Sequence, residues 1–351
     1  MLGWLDRLQQ RSPTAGFAIA VVYKFIDDQA GYLAALVAYY AFVSLFPLLM
    51  LLTTVLSVVL AGRPEWRAAI YDSALAQFPL IGDQLSEPSA LSGGTAGVVI
   101  GVSVALYGGL GVGQAVQNAM ETVWAVPRHL RPDPFRSRLR SLVLLLVMGT
   151  ALVTTTLLVA MGRGFGAAGT VGVVVAAFAL NAAVCTVAFR VTTTRPLTYA
   201  EVLPGAVTAA AVWQLLQWFG AGYVARVVAT ASVINSVFAV VLGMIAFLYL
   251  VSTSLLICAE INVVRVDRLH PRALLTPFTD DVDLTAADRK MYEGQAQAQR
   301  AKPFQRVEVT FDSPGGVGGD RCDPSPGTGG TDPGGDDEHN PEHRGRAGDL
   351  V

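Results

Sequence analysis

Six stretches of the chain are almost unbroken in apolar residues, with charge collected in the intervals between them: 33–60, 93–111, 139–161, 167–189, 204–227 and 237–262. A helix needs about 20 mostly apolar residues, each rising about 1.5 Å, to cross a hydrocarbon core of about 30 Å. The six runs meet or approach that length, so the pattern predicts six transmembrane helices. The second, GGTAGVVIGVSVALYGGLG, is the shortest, and its glycines suit close packing between helices in lipid. The runs do not alternate at period two, which excludes a β-barrel. The predicted fold is an all-α, polytopic membrane helical bundle spanning residues 31–268.

Shorter patterns flank the runs. Residues 12–28 (SPTAGFAIAVVYKFIDD) space apolar side chains at helical intervals and end in charge, which predicts an amphipathic helix lying along the interface within a cytoplasmic segment 1–30. Residues 64–81 begin with Pro64 and set Trp66, Ile70, Ala74 and Leu75 on one face. They read either as an interfacial helix or as a helix capping the bundle. Residues 113–126 have similar character, with Trp124 expected at headgroup level. The start, MLGWLDRLQQRS, lacks a basic stretch followed by an apolar one, so the first run is expected to remain as an anchor rather than serve as a signal peptide.

Composition agrees with lipid as the main solvent: 52% of the residues are apolar, 15% are charged, and the mean hydropathy is +0.48. A soluble protein carries about 25% charged residues. The net charge of −2 is unevenly spread, with 17 basic against 12 acidic residues up to Thr276 and 8 against 15 beyond it. Residues 269–311 read as a cytoplasmic juxtamembrane segment. Residues 312–351 are rich in Gly, Pro and Asp with almost no large apolar side chain, which predicts a disordered tail. Cys185, Cys258 and Cys322 form no CxxC pair and no disulfide framework.

Lys and Arg set the expected orientation. Thirteen lie in the N-terminal segment, the second and fourth connections and the exit of the last run, against four (Arg63, Arg67, Arg163 and Arg226) on the other side. Both termini are therefore expected in the cytoplasm.

Three motifs carry a family resemblance: AYYAFVSLFPLLMLL at 38–52, FRVTTTRPLTYAEVLPGAVTAAAVWQLL at 189–216, and FLYLVSTSLLICAEIN at 247–262. Together, in this order, they resemble the YihY/BrkB family of bacterial inner-membrane proteins over about residues 29–272. Phe247 stands where the family usually has Trp, and CAEIN replaces GAELN. The stretch VGQAVQNAMETVWAVPRHLRPDP resembles actinobacterial members. The resemblance implies a role in cell-envelope integrity and serum resistance, without a molecular activity.

An older label of that family, a tRNA-processing ribonuclease, would demand metal ligands or an acid–base pair. His129, His270, His339 and His343 are scattered, and Pro341 separates the last two, so the reading is of no enzyme, no metal, no cofactor and no nucleic-acid partner. Arg128, Arg131, Arg136, Arg138 and Arg140 instead suit anionic lipid headgroups. A second copy and other envelope proteins are the further candidate partners.

Polar residues inside the runs are the candidate site. Asn181, Gln214 and Gln217 fall near the centres of their runs, with Ser44 and Ser252 at comparable depth, and such groups are expected to face the bundle interior. They read either as interhelical hydrogen bonds or as a polar path. Pro47 is expected to kink the first span, with Tyr39 and Tyr40 as interfacial anchors or the mouth of a cavity. Glu260 lies about 18 Å from the centre of the last run, so it is expected at headgroup level, pairing with Arg265 or a neighbouring loop arginine. The functional expectation is transport or arrangement of a lipid or amphiphilic solute, with a non-transporting scaffold as the alternative.

Overall fold

The structure is a computed structural model that describes residues 12–59, 95–162, 166–230, 233–274, 276 and 283–311. The segments 64–81 and 312–351 lie outside them. Eight α-helices are formed among the described residues: α1 Pro13–Asp27, α2 Ala30–Val59, α3 Thr95–Val123, α4 Pro134–Gly162, α5 Gly166–Val191, α6 Tyr199–Thr230, α7 Val233–Val266 and α8 Ala286–Ala298. There are no strands among these residues. The described residues of each of the six apolar runs fall on one helix, α2 to α7. By length and apolarity, Pro134–Thr155, Val171–Val191 and Val241–Val266 are sufficient to cross a membrane, and Ala30–Leu45 is a shorter apolar helix.

Helices α2 to α7 each pack on the next, and α7 returns to α2, so the six form a ring; α7 also touches α3. Helix α1 lies against α7 and α2. Pro13 occupies its first turn, where a missing N–H costs nothing, and Gln29, with φ of 52°, turns the chain sharply into α2. The predicted amphipathic helix is thus present, but Ala20, Val21 and Lys24 on its inner face are buried against the bundle.

One expectation is corrected here. Residues 113–123 do not form a separate element; they continue α3 without a break. No proline interrupts α3, and its glycines are places of contact rather than breaks. A Cβ on Gly108 would lie 2.6 Å from Ser44 Cβ, one on Gly111 2.6 Å from the Tyr40 ring, and one on Gly113 2.6 Å from Ser141 Cβ. Close approach of this kind offsets the roughly 1 kcal/mol of helix propensity that each glycine gives up. Trp124 is 3% exposed and packs in the core.

The core gathers at one end of the ring. Ala119, Met120, Val123 and Trp124 of the α3 exit meet Phe189, Leu197, Val202 and Ala206 around the α5–α6 turn, Leu256, Val263 and Val264 of α7, and Met291 of α8. Midway along α7 the same face is less covered. Ser252, Leu256, Ala259 and Val263 form a stripe on α7 that is 5% exposed or less, and its continuation through Tyr249 and Ile245 is about 40% exposed. Tyr249 borders an apolar cleft of about 460 Å³ that also touches Phe25, Gln29, Tyr32 and Ala35.

Candidate functional site

Polar side chains at the closed end form buried clusters, each of which ties together elements distant in sequence. The first joins α6 to α7. Pro204 lies inside α6 and has no N–H, which frees the carbonyl of Ala200 four residues earlier. Arg265 Nη1 donates to that carbonyl at 3.2 Å. One residue on, the Gly205 N–H donates to Asn262 Oδ1 at 2.7 Å, and Asn262 Nδ2 donates to the Val202 carbonyl at 3.1 Å. Such proximity requires a glycine, because a Cβ at 205 would lie 2.2 Å from the Cys258 carbonyl oxygen and 2.4 Å from Asn262 Nδ2. The LPGA and CAEIN motifs are therefore the two halves of one clamp. Upstream, Thr198 and Glu201 start α6, with the Thr198 N–H and hydroxyl both donating to Glu201 Oε2, at 2.6 and 2.8 Å.

The second cluster joins α1, α3, α7 and α8. Lys24, 3% exposed, donates to Asp28 Oδ2 and, at 2.9 Å, to the Val123 carbonyl at the end of α3. Its Nζ is 3.5 Å from Glu260 Oε2. Asp28 Oδ1 accepts from Gln295 of α8 at 2.9 Å. Glu260 itself is fully buried, and neither of its carboxylate oxygens has a hydrogen-bond partner.

The third cluster centres on Arg272, which is fully buried. Its Nη1 reaches Asp27 at 2.5 Å and its Nε reaches Asp288 at 2.6 Å. Asp288 also accepts from the Ala273 N–H at 2.9 Å and completes a capping box with Thr285 at the start of α8. Burial would lower the Arg272 pKa; the hydrogen bonds it donates to Asp288 and Asp27 reverse this and raise it. Nearby, Arg195 grips Asp267 with two hydrogen bonds of 2.9 and 2.6 Å and stacks over Trp124 at 5.0 Å. A fourth cluster lies between α3 and α4, where Gln117 donates to the Gly113 and Ser137 carbonyls and to Ser141 Oγ at 3.2, 3.0 and 2.8 Å.

The predicted residues are placed differently. Glu260 pairs with Lys24, not Arg265: the two α7 residues are five apart and so lie on different faces of the helix. Ser44 and Ser252 do face the bundle, with their hydroxyls donating to carbonyls of their own helices, Ala41 and Leu248. Gln214 is exposed and Gln217 half-buried, so the expectation that both amides point inward is corrected. At 3.6 residues per turn, Gln214 falls on the stripe of Leu203 and Val207, which is also exposed. Asn181 is half-buried. No hydrogen bond joins any two of these five among the described residues. Helix α2 continues through Pro47 to Val59. Tyr39 is exposed and meets Tyr40 edge to face at 5.4 Å, while Tyr40 packs over Gly111.

Of the five loop arginines, Arg128, Arg136 and Arg138 are exposed and Arg140 is half-buried. Arg131 is drawn in, 3.7 Å from Glu121 and hydrogen-bonded to Asn118 at 3.0 Å. Among the described residues no group of three or more His, Cys, Asp or Glu side chains could hold a metal ion.

Span-length apolar helices, ring-packed and tied at one end by buried ion pairs, define a polytopic α-helical membrane protein. The model of the virulence factor BrkB family matches residues 21–279, and the chain belongs to that family. No curated protein and no solved structure matches it.

Proposed function

We propose that the chain is a six-span protein of the inner (plasma) membrane, with both termini in the cytoplasm, that serves envelope integrity by transporting or arranging a lipid or amphiphilic solute without enzymatic chemistry. The observation that carries this reading is the α7 stripe, which passes from sealed core at Leu256 to open surface at Tyr249 and Ile245, where the apolar cleft between α1, α2 and α7 begins. An apolar lining with a few hydroxyl and amide groups suits an acyl chain with a polar end. The exposed Arg128, Arg136 and Arg138 suit the anionic headgroups of surrounding lipid.

The six-span orientation predicts that a reporter active only outside the cytoplasm gives signal when fused after Ser86 and none after Pro132. Signal at Pro132 overturns it. For the cleft, Ala35→Trp fills the space beside Tyr249. Native mass spectrometry is expected to show lipid retained by the unaltered protein and lost from the variant, with loss of rescue in a deletion strain at unchanged protein abundance. Full rescue by an Ala35→Trp protein that holds no lipid favours the scaffold.

A further inference from the structure

We infer that the Lys24–Asp28–Glu260 cluster is a proton-binding site, in which Glu260 carries the proton and its release loosens α1 from the bundle. Two carboxylates, Asp28 and Glu260, share one ammonium, Lys24, and all three are buried. Lys24 directs two of its three N–H donors to Asp28 and to the Val123 carbonyl, and Asp28 takes one from Lys24 and one from Gln295. That ion pair is complete. Glu260 is the surplus acid: it is fully buried, neither oxygen has a hydrogen bond of normal length, and the Lys24 ammonium it shares with Asp28 stands off at 3.5 Å. A second carboxylate beside one ammonium leaves the cluster with an uncompensated negative charge, which is costly where the group is fully buried. A carboxylic acid carries no such charge.

Charged groups on the surrounding elements are engaged elsewhere. On α1, Asp27 is held by Arg272; next to the end of α3, Glu121 lies against Arg131; beyond Glu260 on α7, Arg265 bonds the Ala200 carbonyl and Asp267 bonds Arg195. On α8, Asp288 is bound to Arg272, and the residue that reaches the cluster, Gln295, is neutral. Helix α2 contributes no charged side chain, as Ala30–Val59 contains none. The proton thus has one carboxyl to occupy, and its departure places like charges of Glu260 and Asp28 together at the joint between α1 and α7.

The test is infrared difference spectroscopy of the full protein in membranes across a pH titration, combined with hydrogen exchange of 13–27. At neutral pH the unaltered protein is expected to show the carbonyl band of a protonated carboxylic acid, and Glu260→Gln, neutral and of the same shape, to lack it while melting at an unchanged temperature. Raising the pH is expected to remove the band and the exchange protection of α1 together in the unaltered protein, and to leave α1 protected in Glu260→Gln. Absence of the band at neutral pH, or its persistence in Glu260→Gln, overturns the assignment. Should Glu260→Gln fail to fold, the titration of the unaltered protein still decides: a band lost without any change at α1 overturns the latch. None of these readouts depends on what occupies the cleft.

Discussion

Gly205→Ala is expected to leave little folded protein. The new Cβ would have to displace the Cys258 carbonyl oxygen, 2.2 Å away, and the Asn262 amide, 2.4 Å away; neither can give way without separating α6 from α7. Overpacking a core costs about 1–3 kcal/mol when side chains can shift and more when backbone must move. The partner substitution, Asn262→Leu, removes the acceptor for the Gly205 N–H and the donor to the Val202 carbonyl. Leaving a buried polar group unpaired costs about 1–3 kcal/mol. Size-exclusion profiles and melting curves of the detergent-solubilised variants measure both effects. The expected order is unaltered protein, then Asn262→Leu, then Gly205→Ala as the least stable. A Gly205→Ala variant of full stability would mean that the helices do not approach this closely.

Arg272→Gln is the second large effect. The guanidinium is fully buried between Asp27 and Asp288, and its loss leaves two carboxylates facing the same gap. Breaking a buried ion pair by removing one partner typically costs about 3–5 kcal/mol. Asp288 keeps the N–H groups of Ala273 and Thr285, so α8 retains its cap, whereas Asp27 sits at the C-terminal end of α1 and loses its cation. The damage is therefore expected at the α1 junction. Hydrogen exchange should rise in 13–27 and 269–276 while α8 stays protected, and equal exposure of α8 would show that the capping box does not stand alone.

The six helices were legible because lipid makes apolarity continuous, so each run announces its helix. Their ends were less legible, since nothing in GQAVQNAMETV distinguishes a polar extension of α3 from a new element. Lys24 and Asp28 read as the wet end of an amphipathic helix; their burial depends on α7 and α8, which lie more than 200 residues later. The placement of Glu260 followed distance along α7 alone and took no account of α1 covering that end. The LPGA and CAEIN motifs were recognised, though not as partners. A signal was available: a proline inside a helix leaves a carbonyl in need of a donor, and an asparagine at the end of an apolar run needs buried partners. Thr285 to Asp288, TAAD, also fits a capping box and was passed over.

The position of the clamp has a mechanical consequence. Asn262 fastens α7 to α6 only four residues before α7 ends at Val266, and 29 residues separate Asn262 from Val233 at the other end. At 1.5 Å per residue that free arm is about 44 Å long. A tilt of about 5° about that end would carry the far tip of α7 through about 4 Å, against the α2 and α6 packing that holds it in the ring.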